Sequence, residues 1–269
     1  MEELKGNAET PRRVKGMHDV LPDEQVGWER VRKVTCEIAT FYNFTRMDMP
    51  LVEPAELFER TIGSATDIVE KQMFVVKGRG REQLVLRPEM TASFARAFIE
   101  NGMSQLGLPL RLYAIGPVFR YEQPQAGRYR QFNQVDFEIL STEDDPIYDA
   151  QSLLTSFRFL EHLKLREICI AINSIGCAAC REPYKRALVA HYKPHKPKLC
   201  QDCVRRLETN PLRLLDCKDE RCQEFKRDAP ILLDALCATC KRHFKRVLEY
   251  LDVLNIPYRL NNYLVRGLD

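Results

Sequence analysis

The sequence predicts an α+β fold interrupted by a small cysteine-rich module. Three observations carry this. Apolar residues recur at helical spacing over several long stretches. Short β-prone runs lie next to one another, joined by turns. Eight of the ten cysteines fall between Cys177 and Cys240. A chain of 269 residues can bury a sizeable core and is expected to hold two domains. Hydrophobic residues make up 45% and charged residues 29%, ordinary for a globular protein. The net charge of +3 is too small to mark the whole chain as a nucleic-acid binder.

From the N-terminus, residues 1–15 are polar and read as a loose arm. Pro22 to Phe44 is a helix, started at Pro22–Asp23, with Val31, Val34, Ile38, Phe41 and Tyr42 on its stripe. Phe44 to Val52 reads as a strand containing Pro50. Gln72–Val76 and Gln83–Arg87 read as strands around a Gly78–Gly80 turn. Thr91–Glu100 reads as a helix with Thr91 as its N-cap and Gly102 closing it. Leu110–Ile115 is a further strand. Ile147–Leu163 is an amphipathic helix opened by Pro146. Glu167–Ile172 is a strand, and short helices follow in the cysteine-rich region. His243–Leu254 is a helix presenting Phe244, Val247, Leu248 and Leu251, and Ile256–Val265 returns to strand. Gly78-x-Gly80 is too short for a dinucleotide fingerprint and marks a turn.

The run Gly116–Glu138, GPVFRYEQPQAGRYRQFNQVDFE, reads as two strands joined by a loop. The loop carries Gln123, Gln125, Gly127, Arg128 and Arg130, with Arg120 at its entrance. A strand-borne arginine is a fixed, permanently charged fork for phosphate oxygens, so the arrangement suits a polyanion. An exposed basic hairpin whose charges only solvate the surface is the competing reading.

The cysteines follow C-x2-C-x19-C-x2-C-x13-C-x4-C-x14-C-x2-C: Cys177, Cys180, Cys200, Cys203, Cys217, Cys222, Cys237 and Cys240. Paired thiols at this spacing let two sulfurs meet one tetrahedral ion. Eight sulfurs make two closed four-cysteine zinc sites, structural because neither keeps a position open for water. The sequential pairing joins Cys177, Cys180, Cys200 and Cys203 in one site and the other four in the second; a crossed pairing stands beside it. No signal peptide or apolar spanning run accompanies the cysteines, so a reducing cytoplasm is expected and disulfides are disfavoured. His191, His195 and His243 are candidate replacements for a thiolate, against the plainer reading as solvated histidines. Cys36 and Cys169 are expected in the core. Basic residues between Arg181 and Arg246 form a candidate RNA-backbone contact, against a solvated helical face.

Read in order, KGMHDVLP (Lys15–Pro22), MPLVEP (Met49–Pro54), DIVEKQMF (Asp67–Phe74), LRPEMTAS (Leu86–Ser93), FRYEQPQAGRYRQFNQVDFE (Phe119–Glu138) and LVRGLD (Leu264–Asp269) resemble the histidyl-tRNA synthetases, a class II aminoacyl-tRNA synthetase family. The resemblance covers nearly the whole chain. It implies an antiparallel sheet of six to seven strands flanked by helices, and a homodimer built partly through the first motif, whose proline is Pro50. It implies a class II core over residues 1–175, a zinc-binding insertion over 176–242 that touches the tRNA acceptor arm, and a return to the core over 243–269. It implies ATP with Mg2+, histidine and tRNA(His) as ligands, and a histidine–tRNA ligase activity. Residue by residue, Arg120 holds the α-phosphate, Arg128 faces ATP, and Arg266 assists adenylate formation. Glu89, Thr91, Gln134 and Glu138 line the histidine pocket, and Gln123 and Gln125 reach the acceptor end of tRNA. In the family the sequence continues past LVRGLD into a third motif and an anticodon-binding domain, so this chain is expected to be a C-terminally truncated piece. Two other classes stand beside this one. They are the histidine-sensing regulatory subunit of ATP phosphoribosyltransferase and a zinc-dependent RNA-binding module.

Overall fold

The computed structural model of the chain describes residues 12–62, 72–78, 80 and 82–265. Most of the expected N-terminal arm and Arg266 lie outside the described residues. Contacts divide the chain into two compact units. One takes the described residues up to Arg32, with Arg46–Met103 and Ala114–Asp136; the other takes Lys33–Thr45, Ser104–Tyr113 and the chain from Phe137 onward.

Helix α1 spans Gln25–Phe41. It buries Val34, Thr35, Ile38 and Ala39, an i, i+4 pattern that points one stripe inward. Phe41, expected on that stripe, is exposed. So is Cys36, which falls between the buried pairs, its sulfur 3.6 Å from the Tyr113 hydroxyl. The strand expected over Phe44–Val52 is divided into β1 (Thr45–Arg46) and β2 (Val52–Pro54). Pro50 has no N–H to give a ladder. The carbonyls of Met49 and Leu51 instead accept from the side chain and the amide of Arg87.

Helix α2 follows at Ala55–Ile62. Strands β3 (Phe74–Val76) and β4 (Leu84–Leu86) pair antiparallel, Val76 opposite Leu84, as the glycine turn predicts. Strand β4 also pairs with β2, Val52 opposite Leu86, so the sheet order is β2-β4-β3. Helix α3 (Thr91–Glu100) packs beside it, and Phe58, Val85 and Ala92 form the shared core. An ion pair of 2.5 Å between Arg96 and the buried Glu53 ties α3 to β2. Thr91 is the first helical residue rather than the cap: Met90 occupies that position, and the Glu89 carboxylate accepts the Ala92 amide at 2.9 Å. Gly102, with φ at +59°, ends the helix as expected.

Strands β5 (Leu110–Phe119) and β6 (Gln131–Leu140) form a second sheet in the order β1-β5-β6. The single large sheet implied by the resemblance is, among the described residues, divided into three. The third joins β7 (Ile170–Ile172) and β8 (Tyr258–Leu260), and its pairing is parallel.

Helix α4 (Pro146–His162) opens on Asp145, whose carboxylate accepts the Ile147 amide. Helix α8 (Ala238–Val253) begins five residues earlier than expected, inside the cysteine pattern. The two pack through Phe157, Val247 and Leu251, with Phe244 and Leu248 partly buried. Cys169 precedes β7 and is exposed, not core. Its neighbours Ile168 and Ile170 pack inward, and strand alternation turns it out. Between β7 and α8 lie α5 (Ala178–Tyr192), α6 (Gln201–Thr209) and α7 (Glu220–Arg227), the short helices anticipated. Their core includes Tyr184, Leu188, Tyr192, Leu207, Leu214 and Phe225.

Candidate functional site

The first candidate site sits where β4 ends, where α3 begins, and on the facing stretch of the β5–β6 pair. Pro88 and Glu89 form a buried bend between β4 and α3. Glu89 is only 1% exposed. One carboxylate oxygen takes the Ala92 amide; the other, Oε2, is buried with no hydrogen-bond partner. Burial raises its carboxyl above the ordinary range, against lowering contributions from the amides and hydroxyl at the start of α3 and from the Arg120 charge.

Arg120 is itself buried. Its Nε donates to the Pro88 carbonyl at 3.0 Å, and its guanidinium lies 5.2 Å from the Phe132 ring centroid. These contacts aim a fixed cation beside Glu89. Gln134 stands two residues beyond Phe132 on β6, on the same face by strand alternation. Its Oε1 is also buried without a donor. A buried acceptor left unmade costs about 1–3 kcal/mol. One such acceptor lies within the field of the anchored Arg120 cation, and the other stands on the face of β6 that carries Phe132.

The floor is held by a residue that sequence reading missed. Arg87 is buried and donates to the carbonyls of Pro117 and Met49 at 3.0 Å. A Cβ at Gly116 would stand 2.9 Å from its Nη2, so glycine is what lets the arginine pass. The signal lay in the bare Arg-Pro-Glu run after an apolar strand, where a charged residue has no solvated face to occupy.

The β5–β6 loop is exposed, with Gln123, Gln125 and Arg128 all on its surface. Gly127, φ +77°, turns it, and Gln125 and Arg128 bridge across the tip. Arg128 reaches Glu122 at 3.6 Å. Arg130 acts as an anchor. It donates to Lys15 and Glu122 carbonyls, its amide donates to Gly16 at 2.7 Å, and its guanidinium covers the Tyr121 ring at 4.0 Å. The Lys15–Gly16 segment is therefore fastened to the loop. Gly16 has φ of +85° and would meet Pro124 at 2.8 Å with any side chain, so the KGMHD sequence is fitted there.

The second candidate site is a pair of metal-type centres. Cys177, Cys180, Cys237 and Cys240 gather in one cluster, and Cys200, Cys203, Cys217 and Cys222 in another. Within each, every sulfur lies within 4.8 Å of the others. The pairing is nested, neither sequential nor interleaved. The Cys177 and Cys180 sulfurs are 3.6 Å apart, and those of Cys200 and Cys217 are 3.8 Å apart. A tetrahedral ion with sulfurs at about 2.3 Å sets them about 3.8 Å from one another, whereas a disulfide needs about 2.05 Å. Amides aim at the sulfurs: Cys237 donates to Cys180 at 3.1 Å, Cys203 to Cys200 at 3.4 Å, and Cys200 to Cys222 at 3.4 Å. No histidine joins either cluster among the described residues. His191 Nε2 meets the Phe225 carbonyl, His195 stacks on Phe225, and His243 contacts Asp149 at 2.6 Å. Much of the expected basic face is paired: Lys185 with Glu182, Lys196 with Glu208, Arg205 with Asp202, and Arg246 with Glu249.

Residues 74–242 match the family described as the tRNA synthetase class II core domain (G, H, P, S and T). The chain belongs to that class II synthetase family. Among class II relatives, the chain is 45% identical over 96% of its length to a histidine–tRNA ligase of Desulforudis audaxviator, covering 61% of that protein. It is 43% identical over 95% of its length to the histidine–tRNA ligase of Aquifex aeolicus, covering 63%. The chain thus spans about three fifths of the length of these class II synthetases. Among solved structures, apo S. aureus histidyl-tRNA synthetase superposes with a TM-score of 0.74 at 33% identity, over 97% of this chain and 59% of that one. The described residues contain no helix long and apolar enough to cross a membrane.

Proposed function

We propose that the chain is the histidine-activating portion of a histidine–tRNA ligase. The observation that carries this is the buried, donorless Glu89 Oε2 within the field of the anchored Arg120 guanidinium, with a second donorless oxygen, Gln134 Oε1, on the face of β6 that carries Phe132. A free amino acid offers an ammonium, which needs acceptors and an anionic wall. Glu89, Thr91 and Gln134 supply them, and Glu138 lies four residues further along β6. Histidine's carboxylate then lies toward Arg120, where the α-phosphate of ATP is held. Similarity to histidine–tRNA ligases over nearly the whole chain supports histidine as the amino acid.

In the first step a carboxylate oxygen of histidine bonds to the α-phosphorus of ATP. The bond from phosphorus to the bridging oxygen breaks, and pyrophosphate leaves. Arg120 stabilises charge developing at phosphorus, a contribution of about 2.7–4 kcal/mol for a well-placed donor. Arg128 reaches ATP by exchanging Glu122 for phosphate, and Arg266 assists the adenylate. In the second step the 3′-terminal ribose hydroxyl of tRNA(His) attacks the acyl carbon, the bond from that carbon to the phosphate oxygen breaks so that AMP leaves, and the hydroxyl proton passes to solvent. Gln123 and Gln125, exposed on the loop, meet the acceptor end. Mg2+ accompanies ATP and screens its phosphates.

Residues 1–175 form the first part of the core, 176–242 an insertion, and 243–269 the return to the core. Each cysteine cluster holds one Zn2+, and the sulfur spacing and amide–sulfur contacts support this. The protein works in the cytoplasm as a homodimer.

Histidine-dependent ATP–pyrophosphate exchange tests the reading, run on this chain and on a version extended to the length of its relatives. Exchange that requires histidine and falls by about 10²–10³ in Arg120→Ala supports it. Absence of exchange in both lengths, with histidine still bound, points instead to a histidine-sensing regulatory protein.

A further inference from the structure

The two cysteine clusters are not equivalent. Cys203, Cys217 and Cys222 are buried and belong to the apolar core of the α5–α7 module, packed with Tyr192, Leu199 and Phe225. None of Cys177, Cys180, Cys237 and Cys240 belongs to that core. Cys180 is buried, but Cys177 is exposed and Cys237 and Cys240 are half-buried, whereas in the inner cluster only Cys200 is half-buried.

The outer cluster is built at two helix starts. Cys177 is the N-cap of α5 with Cys180 in its first turn, and Cys237 is the N-cap of α8 with Cys240 in its first turn. Helix α5 contributes Tyr184, Leu188 and Tyr192 to the module core. Helix α8 contributes Val247 and Leu251 to a different core, shared with α4 and β7. The Cys237 amide crosses between the two to the Cys180 sulfur. Gly176, immediately before the cluster, has φ of +60°, and a Cβ there would press on Cys180 and on Leu236 at 2.8 Å. The chain leading into the module is therefore fitted against the chain leaving it.

We propose that the Cys200 cluster is an internal zinc site that holds the module's core, while the Cys177 cluster is a zinc clasp. It fastens the module to the α4–α8 layer at the point where the chain enters and leaves. Nesting makes this possible: the outer site closes the whole loop, and the inner site stays complete when the outer one opens. Release of the outer ion loosens the entry and exit of the module while it stays folded, with Val265 in its core and the Lys226–Tyr263 contact as remaining ties. The inference rests on both clusters binding zinc.

The test uses the full chain, loaded with zinc. Metal content and amide hydrogen exchange are measured on wild type, Cys237→Ser and Cys217→Ser. Wild type carries about two ions. Cys237→Ser keeps about one, with α6 and α7 amides protected to within about twofold of wild type and residues 174–180 and 236–241 exchanging at least about tenfold faster. Cys217→Ser loses protection throughout α6 and α7. Graded chelation of wild type checks the same order without a substitution: the first ion leaves with only the clasp segments exposed. Loss of both ions and of all module protection in Cys237→Ser, with simultaneous release in wild type, overturns the clasp while leaving zinc intact. Wild-type protection at the clasp segments in Cys237→Ser also overturns it. A wild type that binds no zinc refutes the underlying metal reading, and its metal content tells that failure apart.

Discussion

The Glu89–Arg120–Gln134 pocket and the cysteine module are both built from groups that a folded interior ordinarily rejects, yet they treat them in opposite ways. In the module, sulfurs face one another and backbone amides, and each cluster is a closed set of four. In the pocket, two buried oxygens have no donor, and burial works against the charge on Glu89. On the proposed reading the module is arranged for a resident ion that stays and contributes to folding. On the same proposed reading the pocket is arranged for a visitor that leaves, and its unmade hydrogen bonds are what that visitor would fill. The contrast is between a set of groups that satisfy one another and a set left unsatisfied.

The largest effect that can break this comparison is metal removal. Structural zinc in small modules contributes an apparent 10–16 kcal/mol, roughly, at neutral pH. Chelation should therefore abolish the protected amides of α6 and α7 while helix α3 and the β2-β4-β3 sheet keep theirs. Hydrogen exchange reads this segment by segment. Equal protection with and without chelator would show that the sulfurs need no ion.

Arg120→Ala comes next. Removing one preorganised cation from charge developing at phosphorus costs about 10²–10³ in rate. The Pro88 carbonyl also loses its donor, so stability should fall by about 1 kcal/mol. Steady-state exchange and a denaturant titration separate the two. A rate change no larger than the stability change alone explains would remove Arg120 from the chemistry.

Glu89→Gln should part stability from function. The glutamine oxygen can still accept the Ala92 amide, but the buried charge is gone. Because burial raises the Glu89 carboxyl in the folded state, the wild type is favoured at pH below the ordinary carboxylate value. It loses that stability as pH rises through the raised value. The variant lacks this slope, so its advantage should grow across that window and hold at neutral pH. Histidine affinity should drop about tenfold or more, since a hydrogen bond to a charged group is worth about 1.5–3 kcal/mol. A pH-independent stability difference would mean that Glu89 is not carrying a buried charge.

Much of this was legible beforehand, for identifiable reasons. The α4 and α8 stripes were readable because both helices bury one face of a local core, and periodicity encodes that directly. The clustered cysteines were readable because closely spaced thiol pairs are a local device. Which knuckles share an ion was not, because that depends on Cys237 returning to Cys180 across 57 positions. Cys36 and Cys169 were misplaced for a simpler reason: apolar neighbours do not tell which face a single residue takes. Arg87 was overlooked because its role is to satisfy carbonyls from Met49 and Pro117, contacts with no sequence spacing of their own.

The smallest expected effect gives the finest test of the contrast. Arg128 is more than half exposed and pairs with Glu122 at 3.6 Å. Exposed pairs contribute about 0–1 kcal/mol, so Arg128→Ala should leave the melting curve within about 0.5 kcal/mol of wild type. If the guanidinium serves ATP, the loss appears in KM for ATP with kcat far less affected, because an interaction made equally in ground and transition states changes only binding. Glu122→Gln should do the reverse, releasing Arg128 toward phosphate and lowering that KM. A stability loss well above 1 kcal/mol, with KM unchanged in both variants, would place Arg128 among the groups that hold the loop together. The pocket would then have one fewer member waiting for a ligand.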